Sequence, residues 1–98
     1  MKLKPIADVQ GALHGYSFFC PGCGHAHAYF TTGEKTWSFD GNTEVPSFNP
    51  SLKLECPDHG DPKQRLCHLN LVAGKLHYDR QCTHDLAGQV VDLPDYPY

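Results

Sequence analysis

Ninety-eight residues, 40% hydrophobic and 19% charged, bound one small globular domain and exclude both a disordered tail and a second core. The net charge is −3 and the eight Lys and Arg are scattered, which argues against nucleic acid or an anionic membrane as partner. No segment approaches the roughly 20 apolar residues that span a bilayer. Met1-Lys2-Leu3-Lys4-Pro5 also lacks the apolar stretch of a signal peptide. A reducing cytoplasm is therefore the expected home, and there five cysteines read as metal ligands before they read as disulfides.

The chain reads as short strands joined by tight turns. His14 to Cys20 alternates, with Tyr16, Phe18 and Cys20 on one face, and His25 to Phe30 should pair back on it as a hairpin. Thr36 to Asp40 is a strand with Trp37 and Phe39 inward, closed by a turn at Asp40-Gly41-Asn42. Pro46 to Ser51 is an extended connector, because each proline fixes its own φ and biases its predecessor. Ser51 to Glu55 presents Leu52 and Leu54, and Cys56 to Pro62 is a polar, turn-rich loop. Leu66 to Val72 and Lys75 to Arg80 form a hairpin around Ala73-Gly74. Gln81 to Gly88 holds one helical turn, Gln89 to Leu93 is a last strand, and 94–98 is a tail. The expected fold is all-β, or β-rich with a short helical turn: one domain over 1–98 with its core at 14–93.

Cys20-Pro21-Gly22-Cys23-Gly24 has the form of a metal-binding knuckle. Two intervening residues let a tight turn aim both thiolates at one point, and Gly24 can take the positive φ that turns backbone amides toward the sulfurs. A structural zinc needs four ligands, and the remaining candidates are Cys67-His68 and Cys82-Thr83-His84. Parity puts Cys67, Leu69 and Leu71 on one apolar face and His68, Asn70 and Val72 on the other. The first choice for Zn2+ is therefore Cys20, Cys23, Cys67 and Cys82, with His68 and His84 as alternates to Cys67 and Cys82. Cys56, beside Pro57, reads as a lone thiol.

The histidines suggest a second chemistry. His27, His68 and His84 each neighbour a metal-linked turn or strand and could converge as a catalytic zinc face, with Asp85 or Asn49 as helper. Hydrogen-bonding a metal's ligands from behind, or lying on the surface, is the commoner use of such residues. The zinc deaminase pattern and a phosphate-binding glycine loop are both missing. Trp37, Phe39 and Phe48 serve core packing before base stacking.

The succession of the knuckle with His27, Trp37-Ser38-Phe39-Asp40-Gly41-Asn42, Pro46-Ser47-Phe48-Asn49-Pro50-Ser51, Cys67-His68 and Cys82-Thr83-His84-Asp85-Leu86-Ala87-Gly88-Gln89 resembles a family of small uncharacterised proteins of tailed phages and prophages. It spans about residues 14 to 95. Members are sometimes labelled ammonia monooxygenase, a membrane-bound chemistry that a chain without a spanning segment does not support. Asp85 stands where a small residue is usual in that family, and Ser47 where threonine is. The resemblance implies a phage-encoded accessory protein with a zinc site, acting in the host cytoplasm.

Three functions follow. The favoured one is a protein-binding module, with a structural zinc, that inhibits or modulates a host factor. The alternative is a zinc-dependent hydrolase with a histidine-lined site. A nucleic-acid-binding zinc ribbon is disfavoured by the acidic balance. Tyr96 and Tyr98 are the candidates for a dimer contact.

Overall fold

In the computed structural model, residues 1–55 and 66–97 are described. Period-2 alternation makes the first sheet: β1 (Lys4–Ala7), β2 (Leu13–Cys20) and β3 (His25–Phe30) are antiparallel in the order β1-β2-β3. The expected hairpin forms in a register running from Gly15↔Phe30 to Cys20↔His25, so the knuckle is its tip. Gly24 closes that tip with φ 73° and an N–H bond of 2.8 Å to the Cys20 carbonyl, as the turn requires. β1, which the sequence reading left out, pairs with β2.

The Trp37 region forms a shorter strand than its alternation suggests. β4 (Ser38–Phe39) pairs only with β5 (Phe48–Asn49), because Pro46 and Pro50 bracket β5 and cannot donate to a ladder. Phe39 and Phe48 face each other across this ladder, and Phe48 stacks on Phe39 at 4.6 Å and on Tyr29 at 4.2 Å between ring centroids. Trp37 meets Tyr29 edge-on. These aromatics therefore fasten the small ladder to the first sheet, and Phe48 is buried.

The third sheet has the order β6-β7-β8-β9, with β6 (Leu52–Glu55), β7 (Leu66–Val72), β8 (Lys75–Tyr78) and β9 (Val90–Asp92). Ala73 (φ 50°) and Gly74 (φ 76°) make the tight β7–β8 turn. The registers Leu52↔Leu69, Leu54↔Cys67, Leu69↔Tyr78 and Leu71↔Leu76 put all of these side chains on the core face. The opposite face carries Lys53, His68, Asn70 and His77, paired Lys53↔His68 and Asn70↔His77.

Residues 81–88 form turns in place of the helical turn, and among the described residues there is no helix. The segment is tied down by Thr83 N–H to the Leu66 carbonyl (2.9 Å) and by Cys82 and Gly88 N–H to the Asp79 carbonyl (3.1 and 3.2 Å). Among the described residues no helix is long and apolar enough to cross a membrane. Cys56, the Cys56–Pro62 loop and Tyr98 lie outside the described residues.

Candidate metal centre and candidate active site

The knuckle, β7 and the 81–88 turns meet beneath the third sheet. Cys20, Cys23, Cys67 and His84 are all buried, and their ligand atoms lie within 4.8 Å of one another. Cys20 Sγ is 3.9 Å from Cys67 Sγ, and Cys67 Sγ is 3.4 Å from His84 Nε2. A tetrahedral zinc with bonds of about 2.3 Å to sulfur and about 2.0–2.1 Å to nitrogen sets S···S near 3.8 Å and S···N near 3.6 Å. The donor set therefore fits a four-coordinate metal, with three sulfurs, one imidazole and no position left for water. A Cβ at Gly22 would overlap the His84 ring, so the glycine of the knuckle makes room for the fourth ligand.

Electrostatics around the sulfurs match this use. The hydrogen bond from Cys67 is the largest effect holding Cys20 below the ordinary thiol range, with His27 and Tyr78 adding to it against burial. Cys67 is pushed up, first by the same bond and then by burial. The two thiols share one hydrogen bond, and a divalent cation would stabilise both as thiolates at once. Tyr78 supports Cys20 with its hydroxyl at 3.1 Å, and burial raises that phenol above its usual range. Cys23 is disulfide-bonded in this structure, so metal loading requires it as the reduced thiolate. His84 Nδ1 accepts from Leu86 N–H at 3.2 Å, and coordination through Nε2 would move the ring hydrogen to Nδ1 at the expense of that contact.

Cys82 lies outside this cluster. Its sulfur accepts from His68 N–H and donates to the His68 carbonyl, both at 3.2 Å, so it clamps the backbone of β7. The three histidines also separate. His84 joins the metal ligands, and His27 is buried against Phe18 near Cys20. His68 projects from the opposite face of β7. Asp85 borders a surface hollow with Pro21, Gly22 and His84, and Asn49 pairs with Ser38 in β5.

On the polar face of the third sheet His68 meets two residues that the motif reading passed over. Ser51 Oγ lies 3.0 Å from His68 Nε2. His68 Nδ1 lies 3.8 Å from Asp79 Oδ2, and this nitrogen is buried without a hydrogen-bond partner. An approach of about 1 Å would convert that contact into a hydrogen bond, a tightening common when substrate binds. Register explains the constellation. Asp79 N–H bonds to the His68 carbonyl at 2.8 Å, extending the β7–β8 ladder by one pair, and Ser51 directly precedes β6 on the same face.

Each member is held. Trp37 Nε1–H donates to the Ser51 carbonyl at 3.3 Å, Gln81 N–H donates to Asp79 Oδ1 at 2.9 Å, and Cys82 clamps His68. Ser51, His68, Asn70, His77 and Asp79 line a groove of about 310 Å³. A hydroxyl bonded to an imidazole whose other nitrogen faces a carboxylate is the arrangement that activates a serine nucleophile. The only sequence signal for it was parity: histidine at an outward position of β7, with serine just before β6 and aspartate just after β8 on the same face.

Residues 4–78 match the family BubE, the bacterial ubiquitination-like system serine protease, and the chain belongs to that family. The match includes Ser51, His68, Cys20, Cys23 and Cys67, and Asp79 follows its last residue. It names a bacterial system and does not bear on a phage origin. No curated protein and no solved structure matches the chain.

Proposed function

We propose that the chain is a serine hydrolase that cleaves an acyl bond at the carboxyl end of a ubiquitin-like modifier, with a structural zinc beside the active site. The observation that carries this is the Ser51–His68 contact at 3.0 Å with Asp79 behind the imidazole. The family's description as a serine protease of a ubiquitination-like system supports both the chemistry and the class of protein partner.

The roles follow from position. Ser51 Oγ attacks the carbonyl carbon of the substrate as its proton passes to His68 Nε2. Asp79 holds the imidazole in the tautomer with hydrogen on Nδ1 and stabilises the imidazolium that forms. His68 then returns the proton to the leaving amine or alkoxide, and water releases the acyl group by the same steps. The zinc supplies rigidity. Cys67 and His68 are neighbours on opposite faces of β7, and the turns that bring His84 to the metal also bond to Asp79. Four protein ligands give the ion no role as a water activator.

The expected protein partner is thereby a substrate as well as a binding target. A ubiquitin-like protein extended at its carboxyl end by a reporter tests the reading. Cleavage by the wild type and none by Ser51→Ala is expected. Equal cleavage by both proteins would overturn it.

A further inference from the structure

Acyl transfer through Ser51 needs a donor for the oxygen that becomes negative in the tetrahedral intermediate. We infer that the side-chain amide of Asn70 is that donor, an assignment that rests on the serine-hydrolase reading above. Asn70 lies two residues beyond His68 on β7 and on the same face. Continuing the β6–β7 register one pair past Leu52↔Leu69 sets it opposite Ser51. It thus lies across from the nucleophile, two residues along β7 from His68, and it lines the same groove.

The state of the amide supports the assignment. Asn70 Oδ1 is buried and has no hydrogen-bond partner, and the residue lines the groove with an amide whose Nδ2 has two N–H groups to offer. An amide left in this state in the apo protein is poised for a group that arrives with the substrate. Of the other groove side chains, Asp79 is an acceptor, His68 is the base, and the Tyr78 hydroxyl is engaged with Cys20 on the core face; His77 stands opposite Asn70, one strand further from Ser51.

Asn70 also borders a second hollow, whose lining sets Phe39, Phe48 and Val72 beside Ser38, Asp40, Ser47 and Asn49. A carbonyl seated over Ser51 would have its oxygen toward Asn70. As the Ser51 Oγ–carbon bond forms, the carbonyl π pair moves to that oxygen and Nδ2–H donates to it. Collapse restores the carbonyl and expels the leaving group, which takes the proton held by His68.

The test uses p-nitrophenyl acetate with the wild type, Ser51→Ala, Asn70→Ala and the isosteric Asn70→Asp, following the nitrophenolate burst. The acylation rate constant should fall about 10²–10³-fold in both Asn70 variants. The concentration of ester that half-saturates the burst should change less than about threefold, since the contact forms only in the transition state. A merely structural role would instead raise that concentration and lower the thermal midpoint, and this result would overturn the inference. So would an Asn70→Asp acylation rate within about threefold of wild type while Ser51→Ala is inactive, an outcome that leaves Ser51 as nucleophile. A burst undiminished in Ser51→Ala would refute the serine-hydrolase reading itself.

Discussion

Replacing Gly22 by alanine probes the metal centre without touching a ligand. The added Cβ would stand 2.6 Å from both ring nitrogens of His84, whereas ordinary contact begins near 3.4 Å. The ring must therefore retreat by about 0.8 Å, the difference of those distances. A metal–nitrogen bond of about 2.0–2.1 Å does not survive that retreat. Zinc in small structural sites contributes about 10–16 kcal/mol over four ligands, so losing one costs on the order of 3 kcal/mol, or about 10²-fold in affinity. Competition against a chromophoric chelator measures this directly. Gly24→Ala is the control: its Cβ would meet nothing within 4 Å, but φ 73° penalises alanine by about 1–2 kcal/mol of fold stability. Gly22→Ala should thus lose metal affinity, and Gly24→Ala should lose stability with affinity nearly unchanged. Wild-type affinity in Gly22→Ala would refute His84 as the fourth ligand.

Three further substitutions have defined outcomes. Asp79→Asn should lower turnover of a modifier–reporter fusion by about 10³–10⁴-fold with little change in circular dichroism, because the imidazole loses the partner that sets its tautomer. Cys82→Ala should leave the metal stoichiometry at wild-type level and reduce turnover modestly, about 10-fold, through the freed His68 backbone; loss of the metal would instead make Cys82 a ligand. Phe48→Ala empties the centre of the Tyr29–Phe48–Phe39 stack and should destabilise the fold by about 3–5 kcal/mol in urea titration.

What could be read from the sequence divides along the range of the interactions. The knuckle is local, and turn chemistry alone indicated Cys20, Cys23 and a positive φ at Gly24. The first hairpin and the β7–β8 hairpin are likewise set by alternation on either side of a turn. The fourth ligand is different. Cys82 and His84 lie two residues apart in irregular turns, where parity does not apply, and the empty space over Gly22 admits the His84 ring. The constellation of Ser51, His68 and Asp79 has no local motif at all. Parity already put His68 with Asn70 on a polar face, and the β7–β8 turn fixes Asp79 opposite His68. Ser51 joins them only through β6–β7 pairing, whose register no short turn dictates. Trp37 shows the limit of alternation: the strand expected around it is cut short by the prolines that bracket β5.

The most direct test of the account is to expose the purified protein to a fluorophosphonate and locate the adduct by peptide mass spectrometry. Phosphonylation of Ser51, with loss of fluoride and no labelling of Ser51→Ala, is the result predicted by a serine bonded to His68 at 3.0 Å. An adduct on another residue, or an unlabelled Ser51 in protein that cleaves its substrate, would contradict it.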